Sequence, residues 1–166
     1  MNKIIILRGN GGSGKSTTAL ALQKKLGRGT FMIPQDTVRM DMLWVSEDPN
    51  NKAISLLETL VEFGSKNHPI TILEGVLCSS IYQSLFRRVT ELFGKQIHAY
   101  YFDVPFEETV IRQKQRPIHN KWSEEQMRKW WREKDYLNFI PEKTIDAVAM
   151  GTDEIVEIII KDISLA

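Results

Sequence analysis

Residues 9 to 16 read Gly-Asn-Gly-Gly-Ser-Gly-Lys-Ser, and no other stretch restricts the fold of this chain so tightly. The octet completes the spacing G-x-x-x-x-G-K-[ST], the Walker A or P-loop pattern. At average residue usage, chance would supply that spacing in about one chain of this length in two hundred. Its flanks fit as well. Ile4-Ile5-Ile6-Leu7 before it is a short, mostly β-branched apolar run, as expected of a strand covered on both faces. After it, Ala19, Leu22 and Leu26 fall on one helical stripe that Gly27 ends. Strand, glycine turn and helix form a cradle for anions, because the glycines let the backbone turn its N–H groups inward and the helix start adds its positive dipole end. Gly9, Gly11, Gly12, Ser13 and Gly14 are therefore expected around a nucleotide's phosphates. Lys15 should reach the β- and γ-phosphates, and Ser16 should offer its hydroxyl to Mg²⁺, supported by Thr17.

The rest of the chain repeats the alternation. Short strands are expected at Phe31–Ile33, Ile70–Leu73, Ile97–Phe102 and Ile145–Val148. Helical spacing separates them: Ile54, Leu57 and Val61; Ile81, Leu85, Val89 and Leu92; a helix from Pro105 to Pro117; and Ile155, Ile158, Ile159 and Ile163. Ser80 to Gln83 and Ser123 to Gln126 read as capping boxes, with Met127, Trp130, Trp131 and Lys134 continuing the second helix. Five strands alternating with helices predict a three-layer α/β/α domain around a parallel sheet. At 166 residues the chain has the length of one domain. A charge of +1, from 22 Lys plus Arg against 21 Asp plus Glu, offers no overall field for gripping nucleic acid, which is disfavoured as a partner, or an anionic membrane. One cysteine, Cys78, and the scattered His68, His98 and His119 exclude a disulfide or zinc scaffold. No apolar run reaches eighteen residues, so a cytoplasmic protein without a membrane partner is expected.

Such folds bind ligands beyond the carboxyl ends of their strands. There Asp36 and Arg39 stand one helical turn apart, a carboxylate able to orient an acceptor hydroxyl and a guanidinium able to hold the acceptor. Glu74 ends the third strand, where it can join a Mg²⁺ shell through water or serve as the alternative base. Arg112 and Arg116, with Lys121 beyond, can close over the transferring phosphate as a lid spanning about residues 112 to 124. Trp130 and Trp131 are expected in packing or docking, and Cys78 as a small buried hydrophobe.

Taken together, these residues resemble the small P-loop kinases related to nucleoside monophosphate kinases, among them shikimate and gluconate kinases, chloramphenicol phosphotransferase and zeta toxins. The likeness rests on Gly9 to Ser16, on Gln35-Asp36-Thr37-Val38-Arg39, on Ile72-Leu73-Glu74-Gly75-Val76, and on Tyr101 to Thr109 leading into Arg112 and Arg116. It implies the strand order 2-3-1-4-5, ATP with Mg²⁺, and transfer of the γ-phosphate to a hydroxyl of a small soluble molecule. It also implies that the first lid arginine lies against adenine, the second near the phosphates, and the loop around Gly151 and Thr152 against the base. Two alternatives stay open: a toxin-like nucleotide-sugar kinase, and a nucleotide-dependent switch that hydrolyses slowly and acts on a protein partner.

Overall fold

The computed structural model describes residues 2–117 and 122–164. Strand β1 (Lys3–Gly9) leads through the glycine loop into helix α1 (Lys15–Leu26), followed by β2 (Phe31–Pro34) and a π-helical turn (Thr37–Met42). Then come α2 (Ala53–Asn67), β3 (Ile70–Gly75), α3 (Gln83–Phe93) and β4 (Ile97–Asp103). Helices α4 (Phe106–Lys114) and α5 (Glu124–Trp130), strand β5 (Glu142–Asp146) and α6 (Thr152–Ser164) complete the described chain. All five strands are parallel, in the order β2-β3-β1-β4-β5, the order that the kinase resemblance implies.

Central β1 explains the apolar run. Ile4, Ile5, Ile6 and Leu7 are all 0 % exposed, with alternate side chains pointing to opposite faces. Ile4 and Ile6 join a core with Leu57 and Val61 of α2 and Leu85, Phe86 and Val89 of α3. Ile5 and Leu7 join a second core with Ala19 and Leu22 of α1 and Ile155 and Ile159 of α6. Burying each such side chain is worth about 1.5–3 kcal/mol relative to exposure, so the sheet's helix cover follows from one unbroken hydrophobic strand.

Several expectations shift. Ser80 caps no helix: the Cys78 carbonyl accepts from Ile81 and Tyr82 N–H, and this tight turn delays α3 to Gln83, whose N-cap, Tyr82, has no side-chain cap. Ser123 and Gln126 do form the reciprocal capping box. That helix stops at Trp130, however, and Lys134 has a left-handed backbone, φ 43°. β5 lies earlier than expected, at Glu142–Asp146, because only Ile145 of its residues is buried and the others carry no apolar pattern. Trp131 docks edge-on against Phe106 with centroids 5.2 Å apart, but Trp130 is half exposed and pairs with Trp122. Cys78 is buried and free, as expected.

Arg8 interrupts the apolar run in the sequence yet is 0 % exposed. Its Nη1 donates to both carboxylate oxygens of Glu142 at 2.9 and 3.0 Å, and its Nη2 to Asp135 at 2.9 Å. Nε and Nη2 also donate to the Leu77 carbonyl at 3.1 and 3.0 Å, and the guanidinium lies over the rings of Phe86 and Tyr101. Desolvating this charge is tolerable because anions and carbonyls surround it. The cluster ties β1 to the β3–α3 loop, to the chain leaving α5 and to β5.

Candidate active site

The loop between β1 and α1 needs its glycines for definable reasons. At Gly9, φ is 146° and a Cβ would stand 2.7 Å from the Phe102 carbonyl oxygen of β4. Gly14, which opens α1, has φ 96°, a region that side chains rarely adopt. Gly12 faces Thr109 of α4, whereas Gly11 is exposed with open space around it. Lys15 is only 6 % exposed; its Nζ donates to the Asn10 carbonyl at 2.7 Å and to Ser13 Oγ at 3.2 Å. Burial pushes its pKa down to about 8, against the pull of Glu74 and Asp36 upward.

Ser16 and Glu74 meet across the sheet's carboxyl edge, the hydroxyl donating at 3.2 and 3.1 Å to the two oxygens of a carboxylate that is 5 % exposed. Burial raises the Glu74 carboxyl, and Lys15 opposes the rise. The neighbouring strand end carries the second carboxylate. Asp36 opens the π-helical turn with its side chain 62 % exposed, 3.6 Å from Arg39, so the expected pairing on one side of a turn is present, in a wider helix. π-Turns of this sort commonly occur where function demands a displaced side chain. Arg39 is engaged further: its Nη1 donates to the Val45 carbonyl at 3.1 Å, and Nε lies 3.5 Å from Glu47. Beneath them, fully buried Gln35 donates to the Tyr82 hydroxyl at 2.8 Å.

On the other side of the loop, Arg112 joins three elements. Its Nε donates to Glu108 at 3.0 Å, Nη1 to the Ser13 carbonyl at 3.4 Å, and Nη2 to the Ala147 carbonyl at 2.6 Å. Beside it opens a cavity of about 340 Å³, lined by Gly12 to Gly14, Thr17, Arg112, Arg116, Gly151 and Thr152. Arg116 stands two residues beyond the end of α4 rather than on it, exposed; Gln115 caps the helix, and the Arg116 N–H makes a turn bond to the Gln113 carbonyl at 3.2 Å. Lys121 and His119, with the middle of the expected lid, lie outside the described residues.

Sequence reading missed Arg8, Asn10, Glu47, Arg132, Asp135 and Glu142. Asn10 is a free position in the P-loop spacing, yet its side chain binds both backbone polar atoms of Arg132. Only the charge of Arg8 inside an apolar run gave a signal.

A family model described as an AAA domain, AAA_33, matches residues 4–139. The chain belongs to this AAA domain family. No protein of curated function matches this AAA domain in sequence. Among solved structures it is similar to a gluconokinase from Sinorhizobium meliloti 1021, at 14% identity and TM-score 0.69, over 98% of this chain and 91% of that one. It is similar to the APS kinase of Mycobacterium tuberculosis in complex with AMPPNP and APS, at 18% identity and TM-score 0.65, over 99% and 98% of the two chains. A chain of the Pnkp1/Rnl/Hen1 RNA repair complex is 24% identical with TM-score 0.62, covering 77% of this chain and 42% of that one. The AAA domain thus has the P-loop kinase fold, a nucleotide-binding architecture. No helix among the described residues is long and apolar enough to cross a membrane.

Proposed function

We propose that this AAA domain is a phosphotransferase that uses ATP and Mg²⁺ to phosphorylate a hydroxyl group of a small molecule. The observation that carries the reading is the adjacency of two different carboxylates at neighbouring strand ends. Glu74, aligned with Leu7 of β1 and Pro34 of β2, faces the loop and holds Ser16, while Asp36 stands two residues past Pro34 with its carboxylate in solvent. A switch needs the first; transfer to an acceptor needs the second as well.

In this reading Lys15, the loop amides and Arg112 hold the nucleotide, with Thr17, Gly151 and Thr152 lining the cavity beside it. Ser16 and Glu74 supply hard oxygen donors of the kind Mg²⁺ prefers. No group of three or more His, Cys, Asp or Glu able to hold a metal occurs among the described residues, which suits a cation carried largely by substrate phosphates. Bound there, Mg²⁺ would offset phosphate charge. Asp36 orients the acceptor hydroxyl and takes its proton late in transfer, Arg39 holds the acceptor side in shape, and Arg116 adds charge near the phosphates.

The test is a screen of alcohols with γ-labelled ATP. Equal release of ADP and labelled small-molecule product is the expected result. ATP consumption stimulated only by a macromolecule, an RNA 5′-hydroxyl or a protein, would replace this reading.

A further inference from the structure

Arg39 does not reach outward for an acceptor, because the chain itself occupies it. Its side chain is only 16 % exposed, with Nη2 3.6 Å from Asp36 and Nε 3.5 Å from Glu47, and Nη1 donates to the Val45 carbonyl at 3.1 Å. Val45 returns the bond, its N–H donating to the Arg39 carbonyl at 3.0 Å. All three guanidinium nitrogens thus face oxygens of the chain. Arg39, Asp36 and Arg132 act on the Glu47 carboxyl, so among the described residues two carboxylates are set against two guanidiniums here. No positive surplus is left to attract an anionic acceptor.

The clasp between Arg39 and Val45 closes the intervening segment into a loop with an apolar exterior. Met40, Met42 and Leu43 are exposed, and Trp44 is 91 % exposed. Trp44 also has a left-handed backbone, φ 50°, which a bulky residue keeps only where its surroundings hold it, and such conformations gather at ligand clamps. The clasp on the next residue provides the hold. Because the Asp36 carboxylate and the Val45 carbonyl meet the same guanidinium, the indole stands one residue from the contact that fixes the acceptor-orienting carboxylate. Four side chains on one short loop are too few for a stable protein interface, which uses about 20–30 residues a side. Small-molecule sites are built in this way, from aromatic and apolar surface around a few polar groups.

We infer that the acceptor is an uncharged alcohol carrying an aryl group, its hydroxyl at Asp36 and its ring against Trp44. This rests on the kinase reading and names the substrate class of the same site. The acceptor oxygen forms a bond to the γ-phosphorus as the bond from that phosphorus to the β–γ bridging oxygen breaks. The bonding pair leaves with ADP, and the hydroxyl proton passes to Asp36. Trp44 takes no part in the chemistry and holds the ring by stacking.

The experiment compares three matched sets of alcohols as acceptors of label from γ-labelled ATP, with water as the basal acceptor. Glycerol and methyl glucoside are neutral without a ring, glycerol phenyl ether and phenyl glucoside are neutral with one, and phenyllactate and phenyl glucuronide are its anionic counterparts. The neutral aryl set should give a kcat/KM at least tenfold above both others. Trp44→Ala should raise KM for that set at least tenfold, keep kcat within about threefold, and change KM for the ringless set less than twofold. Trp44→Phe should fall between. Glu47→Gln, which releases Arg39 toward the acceptor, should narrow the preference for neutral over anionic aryl alcohols at least fivefold. Trp44 is exposed, so its variants should melt within about 2 °C of wild type. Equal or better use of the anionic or ringless set, an unchanged KM in Trp44→Ala, an unchanged preference in Glu47→Gln, or turnover with water that no alcohol of the three sets stimulates overturns the inference alone. Absence of wild-type turnover with water and with every alcohol overturns the kinase reading and this inference with it.

Discussion

Two buried cations stand seven residues apart in sequence and are treated in opposite ways. Arg8 is 0 % exposed and Lys15 6 % exposed. Arg8 meets two carboxylates, Asp135 and Glu142, within 2.9 Å. The described contacts of Lys15 are neutral, the Asn10 carbonyl and Ser13 hydroxyl, and burial lowers its pKa to about 8. The chain brings carboxylates into direct contact with one cation, while Glu74 and Asp36 act on the other without a salt-bridge contact among the described residues. A lysine with a chain carboxylate in salt-bridge contact would already be satisfied; one whose direct contacts are neutral dipoles keeps its donors for a ligand phosphate.

The sharpest way to break the contrast is to neutralise each cation. Arg8→Met should cost about 3–5 kcal/mol in urea unfolding, because it strands buried Glu142 and Asp135. Adding Glu142→Gln should recover part of that loss; no recovery would show that packing rather than charge dominates. Lys15→Ala should lower turnover about 10²–10³-fold, measured under saturating ATP.

Lys15→Met should in addition raise the melting temperature at neutral pH. The sign follows from linkage: burial holds the folded pKa of this lysine at about 8, below the 10.5 of a free side chain, so the fold loses stability whenever the amine is charged. The cost is fully present below about pH 8 and disappears as pH rises toward the unfolded value. The gain from methionine should therefore fade between those limits, as scanning calorimetry across that range would show. Asp36→Asn should leave ATP affinity nearly unchanged and slow phosphate transfer at least tenfold; equal turnover would remove Asp36 from the chemistry. The smallest effect is a proton count. Above about pH 8, nucleotide binding by the wild type should take up a fraction of a proton as Lys15 recharges, detectable by calorimetry in buffers of different ionisation enthalpy, and Lys15→Arg should abolish it.

The part of this molecule legible in its sequence is the part determined locally. Ile4 to Leu7, the glycine octet and the stripe of α1 are consecutive, so strand, cradle and helix could be read directly, and the alternation of elements carried the sheet order through resemblance. β5 was misplaced because its residues answer to partners elsewhere: Glu142 serves Arg8, 134 residues away, and no periodicity encodes that. Ser80 and Ser123 looked alike on paper, yet Ser80 Oγ lies 3.3 Å from Cys78 Sγ in a turn, while Ser123 accepts the Gln126 N–H at 3.1 Å. At the site, Asp36 and Arg39 were visible as a local pair. The holds of Asn10 on Arg132 and of Glu47 on Arg39 join positions whose separation carries no pattern, and only the folded chain brings them together.

The Arg8 cluster also dictates an order of events during synthesis. The arginine is synthesised ahead of all its partners, for Leu77, Asp135 and Glu142 follow it at separations of 69, 127 and 134. Until the last of these is released, the central strand carries an unmatched charge at the depth of the finished core. Long-range closures of this kind are slow to form, so the Arg8 cluster cannot close before the residues of β5 are in place.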